Sequence, residues 1–160
     1  MSVDSRFERS VRAEFALRER LGRRRDGSQG ARVLAQRLHR GRHDLLAHLQ
    51  RVACTVRRRF RAVAWLHHAG QTDVARRTLT SAGLSPDEVE AVELLRQADP
   101  LSRQSPVLPG IRTLSKASGT AGYLARVVAR AAIEDRLEGA RPTGDTLAAL
   151  HLLANPRLAR

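Results

Sequence analysis

Hydrophobic residues recur along the chain at intervals of three and four, the spacing that predicts amphipathic α-helices. No segment alternates between apolar and polar residues as a half-buried strand would. The pattern therefore predicts an all-α protein, a bundle of about seven or eight helices. Besides an N-terminal helix at about residues 5–21, we expect helices at about 30–39, 43–57, 59–69, 86–97, 121–138 and 145–154, with shorter ones before Gly83 and near 110–117.

The clearest local signal is the sequence SPDE at residues 85–88. Ser85 is suited to cap a helix, Pro86 to occupy its first position, and Glu88 to complete a capping box. Just before this signal, Gly83 is a natural left-handed stop for a short helix. The segment therefore predicts a helix end followed closely by a helix start.

One basic, glycine-containing stretch, GRRRDGSQG at residues 22–30, predicts a loop or hinge. It divides the chain into a basic N-terminal helix with its linker (1–29) and a helical domain (30–156). A chain of 160 residues is long enough to bury a real core. Since aromatic residues make up only 3%, we expect that core to consist of Leu, Val and Ala.

The net charge of +13 comes almost entirely from arginine, because Lys116 is the only lysine. A GC-rich genome would explain the choice of arginine over lysine. The excess of charge itself favours an anionic partner, either nucleic acid or a phosphorylated small molecule. Clusters such as RRR at 23–25 and RRRF at 57–60 support nucleic acid, whereas the scarcity of aromatic residues and the lack of a helix-turn-helix signature oppose it.

Targeting and redox signals are few. Cys54 is the only cysteine, so an intrachain disulfide is excluded, and its apolar helical surroundings predict a buried thiol. There is no apolar run of 18 residues, and the sequence MSVDSRFERS lacks the apolar core of a signal peptide. We expect a cytoplasmic protein that does not enter a membrane.

The segment AVAWLHHAGQTD (62–73) contains the strongest candidates for metal ligands, two adjacent histidines at the end of a predicted buried helix. Spacing from Phe60 places His67 on the apolar face of that helix. Together with three other segments, these residues resemble the bacterial HD-domain phosphohydrolases, and most closely the short stand-alone proteins similar to guanosine-polyphosphate hydrolases. In chain order the segments are HLQRVA (48–53), FRAVAWLHH (60–68), AGLSPDEVEAVELL (82–95) and GYLARVVARAAIEDRL (122–137).

The resemblance covers roughly residues 30–140 and implies an HD-like helical domain with a metal site. His48 falls where the family has its first histidine ligand, and His67 on the histidine of the His-Asp pair. His68 stands where the family has the aspartate of that pair, and Ala132 where it has the last aspartate ligand. A hard cation such as Mn²⁺ or Mg²⁺ prefers oxygen ligands, which these two residues do not supply.

The acidic pair that assists the attacking water is also missing, because Gln71 and Thr72 fall at about its position. We favour the interpretation that the fold persists without hydrolysis, as a pseudoenzyme without a cofactor. A second interpretation is an active enzyme with a three-histidine Zn²⁺ site made of His48, His67 and His68. A third is that the alignment is shifted and that another acid completes a Zn²⁺ or Mn²⁺ site, with these candidates: Asp44, Asp73 and Asp135.

The segment before the first ligand, HRGRHDLLAH (39–48), is shorter than the nucleotide-holding loop of the family. Arg40, Arg42 and Arg51 remain as candidates for binding the phosphates of a nucleotide or another anion. His39 and His43 are four residues apart, and we expect them to be solvated or capping. A protein partner, or a homodimer through the N-terminal helix, is a further expectation.

Overall fold

The computed structural model describes residues 27–69, 74–98, 108–137 and 141–155. In these ranges it contains eight α-helices, one 3₁₀ turn (Arg58–Phe60) and no strand, which confirms the predicted all-α bundle. The helix expected at residues 5–21 lies outside the described ranges. The helices are α1 (Gly27–Leu38), α2 (His43–Thr55), α3 (Arg61–Leu66), α4 (Arg76–Ser81), α5 (Pro86–Ala98), α6 (Leu108–Lys116), α7 (Gly119–Arg136) and α8 (Gly144–Ala154).

The short helix α3 lies at the centre of the bundle, and α1, α2, α5 and α7 all contact it. Every residue from Ala62 to Ala69 is buried, which explains why this segment carries no charged residue. The α7 helix packs against α5 on one side and α2 on another, and α6 and α8 complete the far end. The core is aliphatic, as the composition predicts, with these fully buried side chains among its largest: Leu34, Leu49, Leu66, Ile111 and Val128.

Two predicted boundaries differ from the structure. The α1 helix begins at Gly27, inside the segment predicted to be a loop, because Gly30 and Ala31 are buried and belong to its packed face. The helix predicted over 59–69 is divided into the 3₁₀ turn and the six-residue α3. The end of α4 agrees with prediction, since Gly83 has a φ of 92°.

The capping box before α5 is confirmed. The Ser85 backbone N–H donates to Glu88 Oε2 over 2.7 Å, and the Glu88 N–H donates to Ser85 Oγ over 3.3 Å. Farther along, α6 approaches the end of α5 so closely that a Cβ on Gly110 would overlap the carbonyl oxygen of Ala98. A glycine in α6 therefore permits the contact between the two helices.

The prediction of a buried thiol at Cys54 is wrong, because this residue is exposed. The buried stripe of α2 contains Leu49, Val52 and Ala53, and Cys54 falls one residue beyond it, on the outward side. Among the described residues, no helix has the length and apolar character needed to cross a membrane.

Candidate metal centre

Three histidines predicted to be ligands meet at one point in the bundle. His48 lies in the middle of α2, and His67 and His68 follow the last residue of α3. All three side chains are buried, at 7%, 6% and 4% exposure respectively. One ring nitrogen from each lies within 4.8 Å of the others, which is the arrangement expected of ligands that share a metal ion.

Asp135, in the last turn of α7, fixes the orientation of His48. Its Oδ2 lies 2.6 Å from His48 Nδ1, and Arg51 donates to the two oxygens of the same carboxylate over 2.8 and 3.1 Å. Burial raises the pKa of Asp135, but the hydrogen bonds from Arg51 and His48 outweigh burial and lower it. An ionised carboxylate only accepts, so the proton of His48 is on Nδ1 and its Nε2 offers a lone pair.

A backbone carbonyl group fixes His67 in the same tautomer as His48. Its Nδ1 lies 2.5 Å from the carbonyl oxygen of Ala64, which can only accept, so Nδ1 again carries the proton. The Nε2 atoms of His48 and His67 lie 3.1 Å apart. Two zinc ligands with Zn–N bonds near 2.0–2.1 Å in a tetrahedral site are separated by about 3.3 Å. The two lone pairs therefore converge at close to the spacing of two nitrogen ligands on one ion.

Two Nε2 lone pairs at this distance repel each other unless a metal ion or a proton lies between them. The surroundings of the two rings disfavour the proton. Burial lowers the pKa of His48, and the opposing effect of Asp135 does not restore it. Burial holds the pKa of His67 well below its ordinary value, and positive charge at His68 or His48 would lower it further. Both imidazoles are therefore neutral near pH 7, the form that binds metals.

His68 is held by Arg136, the residue after Asp135. A guanidinium nitrogen of Arg136 donates to His68 Nε2 over 3.1 Å, so that nitrogen is the acceptor. Burial and the charge of Arg136 lower the pKa of His68 to about 3. A metal ion that used this lone pair would have to displace Arg136. The third ligand is thus less prepared for a metal than the other two.

Within the described ranges, no carboxylate of the kind that a hard cation would need joins this cluster. Ala132 is fully buried on α7 and has no donor atom. Among the candidate acids, Asp44 is exposed on α2, and Asp135 binds the Nδ1 side of His48, away from the converging Nε2 atoms. Asp73, like Gln71 and Thr72, lies outside the described residues. The described ligand set is nitrogen-rich, which suits Zn²⁺ better than Mg²⁺ or Mn²⁺.

Helix ends add to the preference for a cation. The α3 helix ends directly before His67, and the last turn of α7 carries Asp135 and Arg136. The carbonyl groups at the C-terminus of a helix carry partial negative charge, which stabilises nearby cations. The α3 helix therefore places this charge beside the cluster, where the Ala64 carbonyl contacts His67.

The three predicted phosphate-binding arginines, Arg40, Arg42 and Arg51, have different surroundings. The guanidinium of Arg51 binds Asp135, so it supports His48 instead of awaiting a ligand. Arg42, exposed at the start of α2, lies close enough to His68 to contribute to lowering its pKa. Arg40 is exposed in the turn between α1 and α2.

The expectation for His39 is wrong, while that for His43 holds. His43 is exposed at the first position of α2. His39 is only 1% exposed, because α1 packs along α3 and the residue that follows α1 therefore lies inside the bundle. The orienting role of Asp135 and the contact of Arg136 were also missed. Their adjacency in the segment AAIEDRL is visible in the sequence, but the register of α7 against α2 and α3 is not.

Comparison of the chain with protein-family models, with curated proteins and with solved structures finds no match.

Proposed function

We propose that this protein binds one borderline divalent cation of the Zn²⁺ class through His48, His67 and His68. The observation that carries the proposal is the 3.1 Å approach of two Nε2 atoms whose rings both hold their protons on Nδ1. Two neutral imidazoles in this tautomer repel each other across that gap, and a cation between them removes the repulsion. Burial and the neighbouring charges oppose the alternative, a proton.

The relation to HD-domain phosphohydrolases is part of the same proposal. It is supported by the meeting, in one place, of histidines from two of the positions where that family has ligands, α2 and the end of α3, beside the last turn of α7. The fully buried Ala132 supports the loss of hard-cation hydrolysis, because no oxygen ligand stands there. We therefore propose an HD-like pseudoenzyme whose site has kept its histidines and changed its metal preference.

The test is a metal titration of untagged protein in a Cys54→Ser background, which removes the exposed thiol as a rival ligand. After treatment with a chelator, Zn²⁺ affinity is measured by competition with a chromophoric chelator. We expect one tight ion per chain. His67→Ala should lower the affinity about a hundredfold or more, because a ligand that is already oriented is lost.

The matched control is His151→Ala, since His151 is exposed on α8 and outside the cluster. It should leave the affinity unchanged, and circular dichroism should show that both variants remain helical. Failure of the parent protein to retain any ion, or equal affinity in His67→Ala and His151→Ala, would contradict the proposal.

A second candidate function is binding of nucleic acid, and one surface favours it. Four exposed arginines surround the 3₁₀ turn: Arg57, Arg58, Arg59 and Arg61. Tyr123 is 45% exposed beside them, with the Arg59 guanidinium 5.6 Å from its ring centroid. Such a surface offers phosphate contacts and one stacking ring. Binding of single-stranded RNA or DNA should weaken steeply with salt, and no binding at low salt would exclude this function.

A further inference from the structure

A fourth histidine near the cluster has no role in the arrangement described above. His39 is 1% exposed, and neither of its ring nitrogens has a hydrogen-bond partner. The great majority of buried polar side-chain atoms in folded proteins have a partner, and an exception calls for an explanation. A leucine at this position would fill the space without an unpaired donor and acceptor.

The course of α1 brings His39 to the metal cluster. Gly27 and Ala62 line one cavity at the start of α1 and α3, and the Arg32 guanidinium lies 5.7 Å from the Trp65 ring centroid farther along. The two helices therefore run in the same direction. His39 is the first residue after α1, as His67 and His68 are the first residues after α3.

The surroundings of His68 agree with this placement. Charge at His39 is among the influences that lower the pKa of His68, so the two rings are close enough to interact electrostatically. The backbone also holds His39 in place, since its N–H donates to Ala35 over 3.0 Å and its carbonyl accepts from Arg42 over 2.9 Å. Neither of these hydrogen bonds involves the ring, so rotation of the side chain would break none of them.

We propose that His39 is the fourth ligand of the bound cation, so that the site is a closed set of four imidazoles. This inference rests on the proposed function. The nitrogens of the other three rings already lie within 4.8 Å of one another, whereas His39 is outside this group as the structure stands. Closure therefore requires the His39 ring to turn toward His68. Four protein ligands are typical of structural zinc sites, whereas hydrolytic sites keep a position open for water.

Closure has two consequences for the protein. The ion would join α1, α2 and α3 at one point, because His39 follows α1, His48 lies in α2, and the other two ligands follow α3. It would also exclude water from the metal, so the bound ion would not support hydrolysis. The loss of the carboxylates found in the family and the gain of a buried histidine would then have the same result, a metal site that stabilises the fold and does not catalyse hydrolysis.

The inference is tested with Co²⁺, whose visible spectrum reports its coordination, and with azide as a small exogenous ligand. We expect the wild-type Co²⁺ protein to show a four-coordinate spectrum that azide does not change. His39→Leu should weaken Zn²⁺ binding about tenfold or more and make the Co²⁺ spectrum sensitive to azide, because a position opens. His43→Leu, at the exposed histidine four residues later, is the matched control and should behave as wild type.

The wild-type azide measurement needs no variant, so it decides the question even if His39→Leu does not fold. An azide-sensitive wild-type spectrum, or wild-type Zn²⁺ affinity in folded His39→Leu, would overturn the closed site while leaving the three-histidine site intact. Absence of any metal binding by the wild-type protein would instead overturn the proposed function, and this inference with it.

Discussion

The tautomers of His48 and His67 are set by the group at the Nδ1 atom of each ring. For His48 that group is the carboxylate of Asp135, and for His67 it is the carbonyl oxygen of Ala64. Both are obligate acceptors, so both rings present the Nε2 lone pair. A carboxylate behind a histidine ligand also raises the basicity of that ligand and fixes the plane of its ring. The pair is therefore organised for a cation before one arrives.

The two neighbouring residues Asp135 and Arg136 should have opposite effects on metal affinity. Asp135→Asn removes the charge that holds His48 and should weaken Zn²⁺ binding by about 10–100-fold. Arg136→Gln removes both the competing donor to His68 and a nearby positive charge, so it should strengthen binding, by on the order of tenfold. The measurement is Zn²⁺ affinity by chelator competition.

The control for this pair is Glu134→Gln in the same turn of α7. Glu134 is exposed and accepts from Arg130 over 2.8 Å, away from the histidines, so affinity should not change. Changes of the same sign for Asp135→Asn and Arg136→Gln would contradict the role described for one of the two residues, Arg136 if both weaken binding and Asp135 if both strengthen it.

Among the helices, α5 and α7 are both preceded by a serine at the N-cap position, but the two serines differ in their capping hydrogen bonds. Ser85 and Glu88 exchange two hydrogen bonds before α5. Ser118 precedes α7 as its N-cap but makes no side-chain capping hydrogen bond. The same residue type in the same position should therefore contribute unequally to stability.

We expect Ser85→Ala to lower the free energy of unfolding by about 1 kcal/mol, because an orphan N–H of the first turn loses its acceptor. Ser118→Ala should change it by only a few tenths of a kcal/mol, since no such bond is lost. Urea denaturation of the metal-free proteins measures both. Equal costs for the two substitutions would show that the capping box is not a significant source of stability.

Local signals predicted the helices well, and they predicted part of the site. The SPDE cap and Gly83 specify their own conformations through neighbouring atoms, so the end of α4 and the start of α5 followed from the sequence. The three histidines followed from the order of motifs. The burial of His39 and the contact between Asp135 and His48 depend on how α1 and α7 lie against other helices. No pattern within one segment encodes that register, which is why these two features were missed.

The whole molecule combines a net charge of +13 with a neutral, buried group of histidines. Unfolded histidines have a pKa near 6.5, whereas burial lowers the pKa of His67 and His68 in the folded protein, that of His68 to about 3. Below pH 6.5 the unfolded chain therefore binds more protons than the folded one. The stabilising contribution of the neutral rings is complete above pH 6.5 and is lost as the pH falls below it.

For the metal-free protein, we expect the free energy of unfolding to fall between pH 7.5 and pH 5.5. His67 and His68 together should account for about 3 kcal/mol of this loss. Asp135, whose pKa is lowered from its ordinary acidic value, remains ionised throughout this range. Urea denaturation at the two pH values measures the change, and a free energy that is the same at both would refute it.

Saturating Zn²⁺ should raise the free energy of unfolding at both pH values and leave a pH dependence at least as large, because the rings of the folded protein are already neutral and bind the ion without releasing protons. The matched measurement is urea denaturation at both pH values with excess Zn²⁺. A free energy of unfolding that excess Zn²⁺ does not raise at either pH would contradict binding of the ion to the folded protein.

The most direct test of the metal centre is the X-ray absorption spectrum of the Zn²⁺-loaded, untagged protein at the zinc edge. We expect a coordination shell of nitrogen alone at about 2.0–2.1 Å, with the outer-shell scattering of at least three imidazole rings. A sulfur contribution near 2.3 Å, which would assign the ion to the exposed Cys54, or a six-coordinate oxygen shell typical of a loosely held surface ion, would contradict it.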